Sequence, residues 1–98
     1  MTGDMMSAER AAQYGLINIL TEPGEALTEA KKLAARIIAN APMSVAASKR
    51  VINEQRDWTI AEMFDRQLAI TAPVLASEDA REGAKAFAEK RKPAWNGC

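Results

Sequence analysis

Apolar residues three and four positions apart recur in one segment after another, and prolines at positions 42, 73 and 93 punctuate the pattern. That spacing puts side chains on one face of an α-helix, so the chain reads as helix after helix. Ser7 is a suitable N-cap for a helix from Ala8 to Tyr14, with Glu9 in the first turn and Gly15 following as the left-handed residue that ends it. Leu16 to Leu20 is the only plausible strand, and it reads equally as an extended connection. Thr21-Glu22-Pro23-Gly24 is a turn signal. A long helix is expected from about Glu25 to Ala39, with Leu27, Ala30, Ala34, Ile37 and Ile38 as its apolar stripe. Asn40-Ala41-Pro42 ends it, because the residue before a proline is pushed out of helical geometry.

A third helix is expected from Pro42 or Met43 to about Gln55, proline being tolerated in a first turn. Its expected inner side is Met43, Ala46, Ala47, Val51 and Ile52. Thr59 to Glu62 fits a capping box, and Ile60, Met63, Phe64, Leu68 and Leu75 mark the fourth helix. Pro73 predicts a kink or an end there, because an interior proline costs about 3 kcal/mol. Ser77 caps the last helix, Glu78 to about Arg91, whose acidic start and basic end both complement the helix dipole. The sequence therefore predicts an all-α chain of about five helices.

Totals narrow the chemistry. Hydrophobic residues make up 48% and charged residues 27% of the chain, a globular rather than a disordered balance. Thirteen basic residues face thirteen acidic ones. Duplex-binding proteins draw their affinity from a basic excess, so no nucleic-acid partner is expected. No apolar run approaches the roughly 20 residues that span a bilayer, so no membrane partner is expected, and neither is a signal peptide. The single cysteine, Cys98, cannot form a disulfide within the chain. These features lead us to expect a cytoplasmic protein. The absence of histidine rules out Ser-His or Cys-His nucleophiles and a histidine-ligated metal within these residues.

Three ordered stretches carry a resemblance. The first runs from Met1-Thr2-Gly3-Asp4 through Ser7-Ala8-Glu9-Arg10-Ala11 to Gly15-Leu16-Ile17-Asn18. The second is Ala39-Asn40-Ala41-Pro42 followed by Ala46-Ala47-Ser48-Lys49-Arg50. The third is Ser77-Glu78-Asp79-Ala80-Arg81-Glu82-Gly83 with Ala86-Phe87-Ala88-Glu89-Lys90-Arg91-Lys92-Pro93. Together they resemble the C-terminal part of the crotonase (enoyl-CoA hydratase/isomerase) family. The resemblance implies the helical, trimer-forming region of that fold over residues 1–98. It places the ββα-spiral catalytic domain upstream and absent here. Met1 falls inside the family pattern, so the chain is expected to be a truncated reading frame, a proteolytic remnant or an isolated C-terminal part.

In the family, two backbone N–H groups of the spiral stabilise the enolate that forms when water adds to an enoyl thioester, at about 3–4 kcal/mol per donor. A carboxylate of the same region deprotonates the water. No catalytic residue and no metal site are therefore expected in this chain. No cofactor is expected either, coenzyme A entering as the thioester substrate.

The resemblance assigns coenzyme A binding to Phe87 and Lys90. Three residues apart on a helix they share a face, with a ring to stack on adenine and an ammonium to meet phosphate. The plainer alternative makes Phe87 a core residue on the stripe of Ala80, Gly83 and Ala84, with Lys90 solvated. Arg91 and Lys92 read as a favourable helix end. Met63 and Phe64 match a helix that lines the acyl pocket, with core packing as the plainer account. Asp79 and Glu82 read as first-turn acids, and Gly83 as a close approach to a neighbouring helix or ligand. The implied activity is hydration of 2-enoyl-CoA, as in fatty-acid β-oxidation, by a complete chain. The implied partners are acyl-CoA and other crotonase subunits in a trimer-type homo- or hetero-oligomer. The competing reading is a non-enzymatic helical module that packs against full-length subunits.

Overall fold

Capping and turn chemistry set most of the helix boundaries. The computed structural model describes residues 2–98, all helices and connections, with α1 at Ala8–Gln13, α2 at Ala26–Ile38, α3 at Pro42–Glu54, α4 at Met63–Leu75 and α5 at Glu78–Ala88. A single 3-10 turn, Gln55–Asp57, extends α3. Among the described residues there is no strand, so Leu16 to Leu20 is an irregular connection. No helix is long and apolar enough to cross a membrane.

The chain divides into two compact units, Met1–Ala35 and Arg36–Cys98, with the boundary inside α2. In the first unit, the Arg10 N–H donates to Ser7 Oγ at 3.3 Å and so caps α1. Its end is a Schellman motif. Gly15 stands at φ 70°, and the Leu16 and Gly15 amides donate to Ala11 and Ala12 at 2.9 and 3.0 Å. Glycine removes the Cβ clash of that left-handed backbone. Pro23 and Gly24 (φ 87°) form a turn closed by the Glu25 N–H donating to the Glu22 carbonyl at 3.1 Å. Leu33 is half-buried and, with Ala26 and Ala30, borders a groove of about 170 Å³ beside Asn18, Ile19 and Thr21. None of the described residues of this unit is buried.

The second unit holds every buried residue among those described: Ala41, Ile70, Ser77, Asp79 and Ala86. The Asn40 amide donates to the Arg36 and Ile37 carbonyls at 2.9 and 3.1 Å and closes the last turn of α2. Pro42 opens α3 as expected, α3 packs on α4, and α4 packs on α5.

Four expectations are corrected. The apolar stripes point outward as much as inward. Leu27 and Ile38 of α2 are 67% and 76% exposed, as are Ala46 and Ile52 of α3 in the same broad sense. On α4 the inner side is Met63, Ile70, Thr71 and Val74, whereas Ile60, Phe64, Leu68 and Leu75 face outward. These helices carry apolar residues on two sides, and periodicity alone cannot tell which side a chain buries.

Next, Thr59 and Glu62 form only half a capping box. The Thr59 N–H donates to Glu62 Oε2 at 3.3 Å, but the Thr59 hydroxyl also donates there, at 2.6 Å, rather than capping the helix. The helix proper starts at Met63. Third, α4 passes through Pro73 and ends at Leu75. Proline removes a single N–H and fixes a φ that a helix already uses, and Thr71 donates to the Gln67 carbonyl at 3.0 Å just upstream. Fourth, α5 ends at Ala88, about a turn short of Arg91.

Candidate functional site

The residues singled out by sequence lie on α5 and at the start of α4. Ser77 begins α5 by accepting from the Ala80 N–H at 3.0 Å, while its hydroxyl donates to the Val74 carbonyl at 2.6 Å. Asp79, two residues in, is only 2% exposed. Its carboxylate accepts from the Asn96 and Gly97 amides at 2.7 and 3.0 Å. Its own N–H donates to the Cys98 carbonyl at 3.0 Å. A carboxylate with two amide donors is a satisfied buried charge. Asp79 is therefore an anchor for residues 96–98.

Gly83 lies one turn further on. A Cβ there would stand 3.3 Å from the Trp95 ring, and the Trp95 indole N–H donates to the Ala39 carbonyl at 2.8 Å. The close approach anticipated for Gly83 is thus made by the segment after α5. Its only advance signal was a tryptophan beyond a helix-ending proline.

Glu82 faces the same segment. Its Oε1 accepts from Arg91 Nη1 at 2.6 Å and from the Ala94 N–H at 2.8 Å, and its Oε2 accepts from Arg91 Nη2 at 2.9 Å. The Arg91 hydrogen bonds, then the Ala94 amide, hold the Glu82 carboxyl down at about 2. Arg91 Nε also donates to Glu89 at 2.6 Å, and Nη1 to the Lys92 carbonyl at 3.1 Å. Its guanidinium is pushed above its ordinary value by Glu82 and then Glu89. Arg91 is therefore committed within the chain, whereas Lys90 and Lys92 enter none of the ion pairs of the described residues.

Lys90 does not share a helical face with Phe87, because α5 has ended. It occupies the left-handed position of a second Schellman motif, at φ 52°. The Arg91 and Lys90 amides donate to Ala86 and Phe87 at 3.0 and 3.2 Å. The backbone still holds the two residues together through that Lys90–Phe87 bond. Phe87, on the last turn of α5, is 87% exposed, so it is no core residue among those described. The result is a bare aromatic ring three residues before Lys90 and five before Lys92, two cationic side chains outside the ion pairs of the described residues, a combination able to stack on a planar base and meet an anion.

Met63 and Phe64 take different environments at the start of α4. Met63 is half-buried against the unit's interior, and Phe64 is 74% exposed. Phe64 stands at the start of α4 and Phe87 on the last turn of α5. Among the described residues, no group of three His, Cys, Asp or Glu side chains could hold a metal ion. The Cys98 thiol is pushed up by desolvation and by Glu78, which makes it a poor nucleophile at neutral pH.

Known proteins share this fold. The family model for enoyl-CoA hydratase/isomerase matches residues 1–98. An enoyl-CoA hydratase from Mycobacterium tuberculosis superposes with a TM-score of 0.97 at 52% identity, over 99% of this chain and 38% of that one. An enoyl-CoA hydratase from Mycobacterium marinum does so at 0.95 and 52%, with the same coverage. A carnitinyl-CoA dehydratase from Salmonella arizonae is 42% identical over 99% of this chain and 39% of its own length. The chain thus spans about two-fifths of the length of these relatives. On the match across its whole length, this chain belongs to the enoyl-CoA hydratase/isomerase family.

Proposed function

We propose that these residues form the helical, coenzyme-binding part of an enzyme that hydrates 2-enoyl-CoA thioesters, and that the chain acts only together with the spiral domain of the family. The family match over residues 1–98 carries the reading. The exposure of Phe87 and Phe64 supports the roles assigned to them within it. Phe87 offers its exposed ring to the adenine, and Lys90 meets the phosphates. Phe64 faces the acyl chain from the start of α4, with the half-buried Met63 beside it in sequence. The enolate-stabilising amides and the carboxylate that activates water belong to the upstream domain, so this chain binds and orients rather than moving protons.

The test exchanges residues 1–98 into the matching segment of the Mycobacterium tuberculosis hydratase and follows crotonyl-CoA hydration by loss of the conjugated-thioester absorbance. The chimera should turn over, and the 98-residue chain alone should not. A folded chimera without turnover overturns the reading. Turnover by the chain alone overturns the assignment of the chemistry to upstream residues.

A second reading is a helical module that packs on full-length family subunits without catalysing. It is favoured by the outward apolar side chains of α4 and by a groove of about 300 Å³ lined by Ile37, Ile38, Pro42, Val45, Ala46 and Lys49. Co-purification with a full-length subunit, at unchanged turnover of that subunit, would single it out.

A further inference from the structure

We propose that Glu82 and Arg91 are positioning residues: their ion pair holds Lys90 in the left-handed backbone conformation that presents its ammonium to the phosphates of a coenzyme A thioester. The inference rests on the reading of Lys90 given above and adds the residues that aim it.

Its starting point is a contrast between two identical motifs. α1 and α5 both end in a Schellman turn with the same pair of amide-to-carbonyl bonds. α1 uses Gly15 at the left-handed position and α5 uses Lys90, the one non-glycine residue with positive φ among those described. A side chain in that region is strained, and such residues persist where their surroundings over-determine them. Nothing comparable to the α5 surroundings exists at α1. At α5 the next residue, Arg91, makes a two-pronged bond to Glu82 and further bonds to Glu89 and the Lys92 carbonyl.

The same Glu82 carboxylate takes the Ala94 amide. One carboxylate thereby fixes the chain on the far side of Lys90 to a point two turns back on α5. Arg91 and Glu82 are spent on each other, whereas Lys90 and Lys92 enter none of the ion pairs among the described residues. This arrangement spends one cation to orient the next.

Coenzyme A binding to the 98-residue chain, measured by calorimetry at several salt concentrations, tests the proposal. Removing a negative charge beside a phosphate site should tighten binding if charge alone mattered. Positioning demands the opposite, so Glu82→Gln should weaken binding about fivefold and reduce its salt sensitivity. The amide-to-Hα coupling of Lys90 should leave the left-handed value. Lys90→Ala should weaken binding about tenfold, and adding Glu82→Gln to it should weaken it no further, because coupled residues are not additive. Arg91→Lys keeps the charge but loses the fork. It should behave as Glu82→Gln does, and it serves where Glu82→Gln fails to fold.

Tighter or unchanged binding in folded Glu82→Gln and Arg91→Lys, with Lys90→Ala still weakened, overturns the positioning role alone. So does an additive double variant. Unchanged binding in Lys90→Ala, or no binding by the unaltered chain, overturns the reading of Lys90 and the positioning role with it.

Discussion

The two units of this chain are held in different ways. Residues 2–35 are kept in shape by caps, turns and neighbours on the same helix: Ser7 on Arg10, the Pro23-Gly24 turn, Arg10 over the Tyr14 ring at 5.5 Å, and Lys32 with Glu29 at 2.6 Å. No side chain there is buried. Residues 36–98 add bonds between groups far apart in sequence: Trp95 to Ala39, Asp79 to Asn96 and Gly97, Glu82 to Arg91 and Ala94. Local bonds form one residue at a time and can be lost one at a time. The distant bonds meet on a few shared groups, so one substitution removes several.

That contrast can be broken most directly at Asp79. Asp79→Ala strips two amides of a charged acceptor, and at about 1.5–3 kcal/mol for each such bond residues 36–98 should lose about 3 kcal/mol or more in denaturant unfolding. Glu22→Ala in the first unit should stay within about 0.5 kcal/mol, as exposed sites do. Equal effects would dissolve the distinction.

Gly83→Val comes next. It drives a branched side chain into the Trp95 ring, already 3.3 Å from an ideal Cβ, and overpacking of this kind costs about 2 kcal/mol. A shifted Trp95 emission in a Trp58→Phe background would report it.

The paired Schellman turns give a smaller, opposite-signed test. Gly15→Ala should cost the first unit about 1 kcal/mol, and Lys90→Gly should stabilise the second by about 1 kcal/mol, because only glycine takes positive φ without penalty. Thermal unfolding of both variants checks the signs.

Acid offers a milder probe. The Glu82 carboxyl lies at about 2, held by Arg91 and Ala94, and that of Glu62 at about 2, held by Thr59 and then Arg66, against an ordinary 4.5. Both values are depressed in the folded chain, so their stabilisation is complete above about pH 4.5 and is lost as pH falls towards 2. Both groups lie in residues 36–98. In the first unit Glu9 is lowered, by its own backbone amide and by Ser7. Amide protection factors, corrected for intrinsic exchange, should therefore fall between pH 5 and pH 2 around residues 91–95 more than around α1. The smallest effect is expected from salt. Screening Lys32–Glu29 should change stability by no more than about 0.5 kcal/mol.

What the sequence revealed follows the same division. Ser7, Gly15, Pro23-Gly24, Pro42 and Ser77 each act on the backbone within four residues, and each was legible because residue type alone dictates the effect. The packing of residues 94–98 was not, because neither the contact of Gly83 with Trp95 nor the bonds of Asp79 leave any periodic trace. The early end of α5 was hidden too, since the usual sign of such an end is glycine or asparagine and here it is Lys90. The candidate site was half legible. Its residue types announced a ring and an ammonium, but their register did not show that Phe87 is helical and Lys90 is not. The inner face of α4 was misread because Phe64 and Leu68 fit the helical period as well as Met63 and Ile70 do.

The indole of Trp95 reaches a carbonyl 56 positions earlier in the chain. On the ribosome, α2 and α3 emerge well before that partner exists, and the Ala39 carbonyl must wait for nearly the whole second unit to be synthesised. Closing so long a loop slows folding, and the Gly83 side of α5 that the Trp95 ring covers stays open in the meantime. The order in which this polypeptide is made therefore favours helix first and closure last, and a pause in translation before residue 95 would prolong the time for which that side of α5 is uncovered.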